Sequence, residues 1–193
     1  NERPITTLPI NYSFGMSIIN SHFIKGATIL LTNRSIVEAK FWKFLKISKP
    51  TSLSGVPFTF EMLKKMRFFS MELSSIHTLT QAGGKMDIKL NRELSEYCFK
   101  NNKRLFVMYG QTEASPRISY LPHNKVLDKI GSIGIPVPDG ELSLVDNEGH
   151  SINQKVIEGE LVYKGANVCL GYAYNIADLA NEDENNGVLY TGD

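Results

Sequence analysis

Four short apolar runs are centred near Ile29, Leu53, Leu79 and Val107, 24, 26 and 28 residues apart by residue number. No other feature constrains the fold as much. Each gap has room for one helix and two loops. A connection of that length is what two parallel strands need, whereas an antiparallel pair closes with a two-residue turn. The runs are Thr28–Leu31, Thr51–Gly55, His77–Thr80 and Leu105–Met108. Between them, Ser35-Ile36-Val37-Glu38 has the form of a capping box and predicts a helix over Ile36–Lys46. Pro57 suits the first turn of a helix continuing through Phe58–Met66. Asp87 is placed to cap a helix whose apolar face carries Ile88, Leu90, Leu94 and Cys98. The expected class is α/β, a parallel sheet with flanking helices built from βαβ units.

The pattern changes near Ile130. Glycines and prolines from Gly131 to Gly171 punctuate the rest, and Glu141–Val145 and Glu160–Tyr163 read as antiparallel strands around an Asp146–Gly149 turn. Residues 1–130 are therefore expected to form an α/β subdomain. Residues 131–193 are expected to form a β-rich one, part of a small antiparallel β-barrel. With 21 basic and 20 acidic residues the net charge is +1, which argues against an electrostatic nucleic-acid binder. No uncharged apolar run is long enough to span a membrane. Two cysteines make no disulfide framework, so the expected compartment is a reducing cytoplasm. The four histidines are scattered and show no metal-ligand spacing.

In parallel sheets of this kind, ligands bind beyond the carboxyl ends of the strands. Two strand ends stand out. Gln81-Ala82-Gly83-Gly84-Lys85 pairs two glycines, which fits either a plain tight turn or a close backbone approach to a flat ligand. Tyr109-Gly110-Gln111-Thr112-Glu113 presents an aromatic face, a hydroxyl and a carboxylate together. That is a set able to stack on a base, donate to a phosphate and hold Mg²⁺, or else an exposed polar loop. Two later segments are Gly159-Glu160-Leu161-Val162-Tyr163-Lys164-Gly165 with Gly171-Tyr172, and Tyr190-Thr191-Gly192-Asp193. Taken singly, these read as a strand between glycine turns and as a turn carrying an Asp.

In order and spacing, these segments resemble the motifs of the adenylate-forming superfamily: acyl- and aryl-CoA synthetases, luciferases and peptide-synthetase adenylation domains. Tyr109–Glu113 resembles its Y-G-x-T-E motif, Gly159–Gly165 with Gly171-Tyr172 its G-E-L-x-x-x-G…G-Y motif, and Thr191–Asp193 its T-G-D motif. The resemblance implies an AMP-forming acid–thiol ligase. ATP and a carboxylic acid would give an acyl-adenylate and pyrophosphate, and a thiol, CoA foremost, would then take the acyl group. It implies that Gly83, Gly84, Tyr109 and Gly110 line the nucleotide site, with Tyr109 on the adenine. Thr112 would contact the phosphate, Glu113 would hold Mg²⁺, and Asp193 would bind the ribose hydroxyls. Pro9-Ile10-Asn11-Tyr12-Ser13-Phe14-Gly15 resembles the P-x-x-H-x-x-G stretch bordering the acid pocket, which assigns Tyr12, Phe14 and Gly15 there, with Gln111. Tyr12 stands where many members carry His, which keeps an aromatic wall and loses a titratable group.

The resemblance also sets expectations about what lies outside these residues. The family's Ser/Thr/Gly-rich phosphate loop and its C-terminal lid domain have no counterpart here. The chain is therefore expected to be an internal piece of a longer enzyme and to be inactive alone. Two alternatives stay open: an enzyme loading an acyl group onto a carrier protein, and a nucleotide-binding homologue without catalysis. A flavodoxin-like domain would share the βαβ rhythm but gives no reason for Thr112-Glu113 or Thr191-Gly192-Asp193.

Overall fold

The computed structural model describes residues 2–154 and 156–193, which form two compact units. The first comprises the residues up to Tyr109 together with Tyr120–Gly134. The second comprises Gly110–Ser119 and Ile135–Asp193.

The first unit is built on β1 (Pro4–Thr6), β2 (Leu30–Leu31), β3 (Ser52–Gly55), β4 (Thr78–Gln81) and β5 (Arg104–Tyr109), in the order β2-β1-β3-β4-β5. All four adjacent pairs are parallel, as the spacing requires. β6 (Ser119–Leu121) follows β5 in the order. Register explains why these strands find one another. Leu30, Ile5, Leu53, Leu79 and Leu105 are cross-strand partners in one continuous row, each 8% exposed or less. Burying each such side chain stabilises by about 1.5–3 kcal/mol. One residue further along, on the other face, Thr6, Ser54 and Thr80 form a row of hydroxyls, and Thr80 Oγ1 donates to Ser54 Oγ at 2.6 Å.

The helices are α1 (Ser13–Phe23), α2 (Ala39–Ser48), α3 (Pro57–Lys65) and α4 (Ile88–Lys100). α3 opens on Pro57, and the Asp87 carboxylate accepts from Leu90 N–H at 3.0 Å to cap α4. Leu90, Leu94 and Cys98 are buried on α4, whereas Ile88, in its first turn, is 45% exposed. α2 begins at Ala39, three residues later than the capping box suggests. The box closes a separate turn: Ser35 N–H donates to Glu38 Oε1 at 2.8 Å, and Trp42 Nε1 donates to the Ile36 carbonyl at 2.8 Å. That turn is finished before the helix starts.

In the second unit, β8 (Glu141–Val145), β9 (Glu160–Lys164) and β10 (Val188–Tyr190) form an antiparallel sheet in the order β10-β9-β8. A two-residue strand, β7 (Ile135–Pro136), precedes it. Tyr163 is the fully buried centre, opposite Leu142 on one side and Leu189 on the other. No helix among the described residues is long and apolar enough to cross a membrane.

Candidate functional site

In the first unit, β3 and β4 end level, with Gly55 opposite Gln81, and β5 passes Gln81 at Val107 to end two residues further on at Tyr109. The parallel register therefore delivers Val56, the 82–85 loop and Tyr109 to one sheet edge. Gly83 has φ +76° and Gly84 φ +151°, backbone that side chains with a Cβ rarely adopt. A Cβ on Gly83 would strike the Tyr12 hydroxyl and come within 3.1 Å of Val56 Cγ1. Gln81 fixes the loop by donating from Nε2 to the Gly84 carbonyl at 2.9 Å. Tyr12, just ahead of α1, thus packs against Gly83, and Pro57 lies beside Gly84. Phe14 meets it edge-on at 6.4 Å between ring centroids and is itself 3% exposed, in a small cluster with Leu8, Ile18 and Ala82. A Cβ on Gly15 would run into the Pro9 carbonyl. Of the four residues assigned to an acid pocket, Tyr12, Phe14 and Gly15 lie in this unit, with Phe14 buried and Gly15 close against the Pro9 carbonyl.

The second unit holds the polar groups. A single 3₁₀ turn, Thr112–Ala114, follows Gly110-Gln111. Gly110 lets the loop fold onto itself, because a Cβ there would overlap the Pro116 carbonyl. Gln111 Nε2 donates to the Thr191 carbonyl at 2.7 Å and to Asp193 Oδ2 at 3.3 Å. Thr191 Oγ1 donates to the Leu161 carbonyl at 2.7 Å and accepts from Asp193 N–H at 3.2 Å. Leu161 N–H donates to the Asp193 carbonyl at 2.9 Å. Two segments eighty residues apart are thereby tied together, and the Asp193 carboxylate is carried on a fixed backbone. Thr112 and Glu113 lie on the same turn, Thr112 exposed and Glu113 half-buried.

Glu113 is the electrostatically distinctive group. Tyr172 Oη donates to Glu113 Oε1 at 2.5 Å. That bond, followed by one from the turn's own backbone, holds the Glu113 carboxyl below the usual carboxylate range, although slight burial opposes it. The same bond raises the Tyr172 phenol, which keeps its proton for the carboxylate. A carboxylate kept ionised and partly exposed suits a hard cation. Mg²⁺ is usually held by one or two carboxylates together with substrate phosphates rather than by a full protein cage. Among the described residues no group of three or more His, Cys, Asp or Glu could hold a metal ion.

Sequence reasoning missed Tyr172 and Asn167 as parts of this turn's surroundings. Both sit in a segment quoted for its glycines. Asn167 Nδ2 donates to the Ala114 carbonyl and, at 2.9 Å, to the Arg117 carbonyl. The only available signal was an amide side chain between two glycines, which also fits a plain turn.

A family model described as AMP-binding enzyme matches residues 1–173. The long-chain-fatty-acid–CoA ligase of Salmonella typhimurium is 32% identical over 195 residues, covering 100% of this chain and 34% of its own. The 2-succinylbenzoate–CoA ligase of Bacillus cereus is 30% identical over 190 residues, covering 98% and 38%. The structure of o-succinylbenzoate CoA synthetase from Bacillus subtilis in complex with its acyl-adenylate intermediate aligns with a TM-score of 0.82 at 26% identity, over 100% of this chain and 38% of that one. The same enzyme in complex with ATP and magnesium ion aligns at 0.80 and 25%, with the same coverage. The chain spans little more than a third of the length of these relatives.

Proposed function

Because the chain belongs to the AMP-binding enzyme family, we propose that its protein is an AMP-forming acid–thiol ligase that adenylates a carboxylic acid and passes the acyl group to CoA. The observation that carries this reading is Glu113, an ionised carboxylate fixed on a short turn beside Thr112 and within the unit that holds Asp193. The first step brings two anions together, a carboxylate and the α-phosphate of ATP. Mg²⁺ bound at Glu113 would neutralise phosphate charge as the acid attacks.

The remaining roles belong to the chain's own residues. Thr112 donates its hydroxyl to the phosphate that stays with the acyl group, at the point where negative charge builds. The Asp193 carboxylate accepts from the two ribose hydroxyls, and Gln111 holds it in place. The main chain at Gly83 and Gly84 approaches the adenine edge, the Tyr109 ring stacks on it, and Gly110 lets the loop turn beside it. Tyr12 forms the wall of the acid pocket with Phe14 edge-on to it, and Gly15 lets the chain pass close to Pro9 behind it. In this role Tyr12 supplies an aromatic wall that positions the acid.

The relatives' acids, a long-chain fatty acid and o-succinylbenzoate, share only a carboxylate and an apolar body. We therefore propose a plain carboxylic acid of that kind as substrate. The test is product analysis by mass spectrometry on the whole protein with ATP, Mg²⁺, CoA and a panel of fatty and aryl acids. The expected products are AMP and an acyl-CoA in equal amounts. ADP, or AMP without any thioester, would overturn the reading.

A further inference from the structure

We infer that Asn167 and Tyr172, in the loop after β9, are positioning residues for Glu113. Asn167 fixes the backbone of its turn and Tyr172 fixes its carboxylate. This rests on the reading of Glu113 as the magnesium ligand.

A turn as short as Thr112–Ala114 does not hold itself. It closes two backbone bonds, Ala114 N–H to the Gln111 carbonyl at 3.0 Å and Ser115 N–H to the Thr112 carbonyl at 3.1 Å. Isolated 3₁₀ turns of this length are marginal, so neighbouring groups must set the direction of the Glu113 side chain. Four such bonds come from one segment. The Asn167 amide donates to the Ala114 and Arg117 carbonyls, bracketing the end of the turn. Cys169 N–H donates to the Glu113 carbonyl at 2.7 Å. Tyr172 Oη donates to Oε1 of the same residue at 2.5 Å.

The anchor of this brace is buried. Asn167 Oδ1 accepts from Tyr163 Oη at 2.7 Å, and Tyr163 is fully buried in the centre of the sheet. Its hydroxyl fits because Gly140 and Gly165 leave room. A Cβ on Gly140 would lie 2.7 Å from that oxygen, and one on Gly165 would strike it. With Oδ1 turned to Tyr163, both amide hydrogens face the two carbonyls, so the network sets the amide's orientation. An Asp at position 167 would present acceptors to acceptors.

Tyr172 does something different. By donating to Oε1 it fixes the rotation of the carboxylate that would hold the cation. Groups that orient a metal ligand in this way govern affinity without touching the metal.

The test uses the whole protein with ATP and Mn²⁺ as a spectroscopic probe, comparing wild type, Tyr172→Phe, Asn167→Ala and Glu113→Gln. Free and bound Mn²⁺ are read by electron paramagnetic resonance, and pyrophosphate exchange is followed against Mg²⁺ concentration. Tyr172 is 60% exposed, so its Phe variant is expected to melt like wild type. It should bind Mn²⁺ about tenfold more weakly, the low end for a group that orients a metal ligand. Its Mg²⁺ requirement should rise by the same factor while the KM for the acid stays within about twofold. Asn167→Ala is expected to lower kcat at saturating MgATP. Wild-type Mn²⁺ affinity in Tyr172→Phe, with Glu113→Gln impaired, would overturn the positioning role and leave Glu113 as the ligand. Wild-type affinity in Glu113→Gln itself would overturn both.

Discussion

Gly110→Ala is the substitution whose outcome follows most directly from geometry. The new methyl would lie 2.8 Å from the Pro116 carbonyl carbon and 3.1 Å from Arg117 Cα, and would overlap the Pro116 oxygen. These are backbone atoms, so no side chain can swing aside. Widening 2.8 Å to the 3.4 Å of ordinary contact needs about 0.6 Å, and the oxygen demands more. The loop that must open carries Thr112 and Glu113. Overpacking of this kind costs about 1–3 kcal/mol, and displacing catalytic groups by about 1 Å costs on the order of 10²-fold in rate. Gly110→Ala in the whole protein is therefore expected to melt several degrees lower and to lose roughly 10²-fold in pyrophosphate exchange. Gly149→Ala is the control. Gly149 has φ +83° but open space around it, so only the left-handed backbone strain of about 1–2 kcal/mol applies and exchange should be kept. Wild-type exchange in Gly110→Ala would refute the reasoning that a fixed 110–116 loop aims Glu113.

Three further outcomes are expected. Asp193→Ala should raise the KM for ATP more than that for the acid in steady-state kinetics, and equal rises would contradict the ribose role. The Glu113 carboxyl, held below the usual range, keeps its bond from Tyr172 at full strength above an ordinary glutamate pKa of about 4.3 and loses it as pH falls through its own depressed value. A ¹³C NMR titration of Glu113 should accordingly give a midpoint below the ordinary value that moves upward in Tyr172→Phe. Cys98 is 1% exposed and burial pushes its thiol up to about 12, whereas Cys169 is partly exposed. Iodoacetamide at pH 8 should therefore label Cys169 first by peptide mass spectrometry, and equal labelling would show that the core around Cys98 opens.

The sheet was legible because parallel strands impose a chain-length rhythm, and the four runs at Ile29, Leu53, Leu79 and Val107 kept it. β1 was not. Pro4-Ile5-Thr6 is too short to show a period, yet it takes the place between β2 and β3 because Ile5 completes the buried row. α1 was missed for a related reason: no side chain caps it, and only Phe14, Gly15 and Ile18 on it are buried. The candidate site was legible as motifs but not as a network. Gln111 looked like a pocket residue, and its tie to Thr191 and Asp193 depends on how β9 and β10 bring the chain back. The Tyr172–Glu113 bond joins residues fifty-nine apart, and no local pattern encodes such a pairing. The Ser35–Glu38 box shows the opposite error. Its hydrogen bond forms, but the Trp42 indole takes the Ile36 carbonyl, and the turn stands apart from the helix.

We have proposed that this chain belongs to a protein that adenylates a carboxylic acid with Glu113 as its metal ligand. The most direct measurement is ATP–pyrophosphate exchange by the whole protein across fatty, aryl, hydroxy and amino acids, run beside Glu113→Gln. Mg²⁺-dependent exchange is expected with one class of plain carboxylic acid, slowed on the order of 10²-fold in the variant. Absence of exchange with every acid while AMP still binds, or exchange untouched by Glu113→Gln, would contradict it.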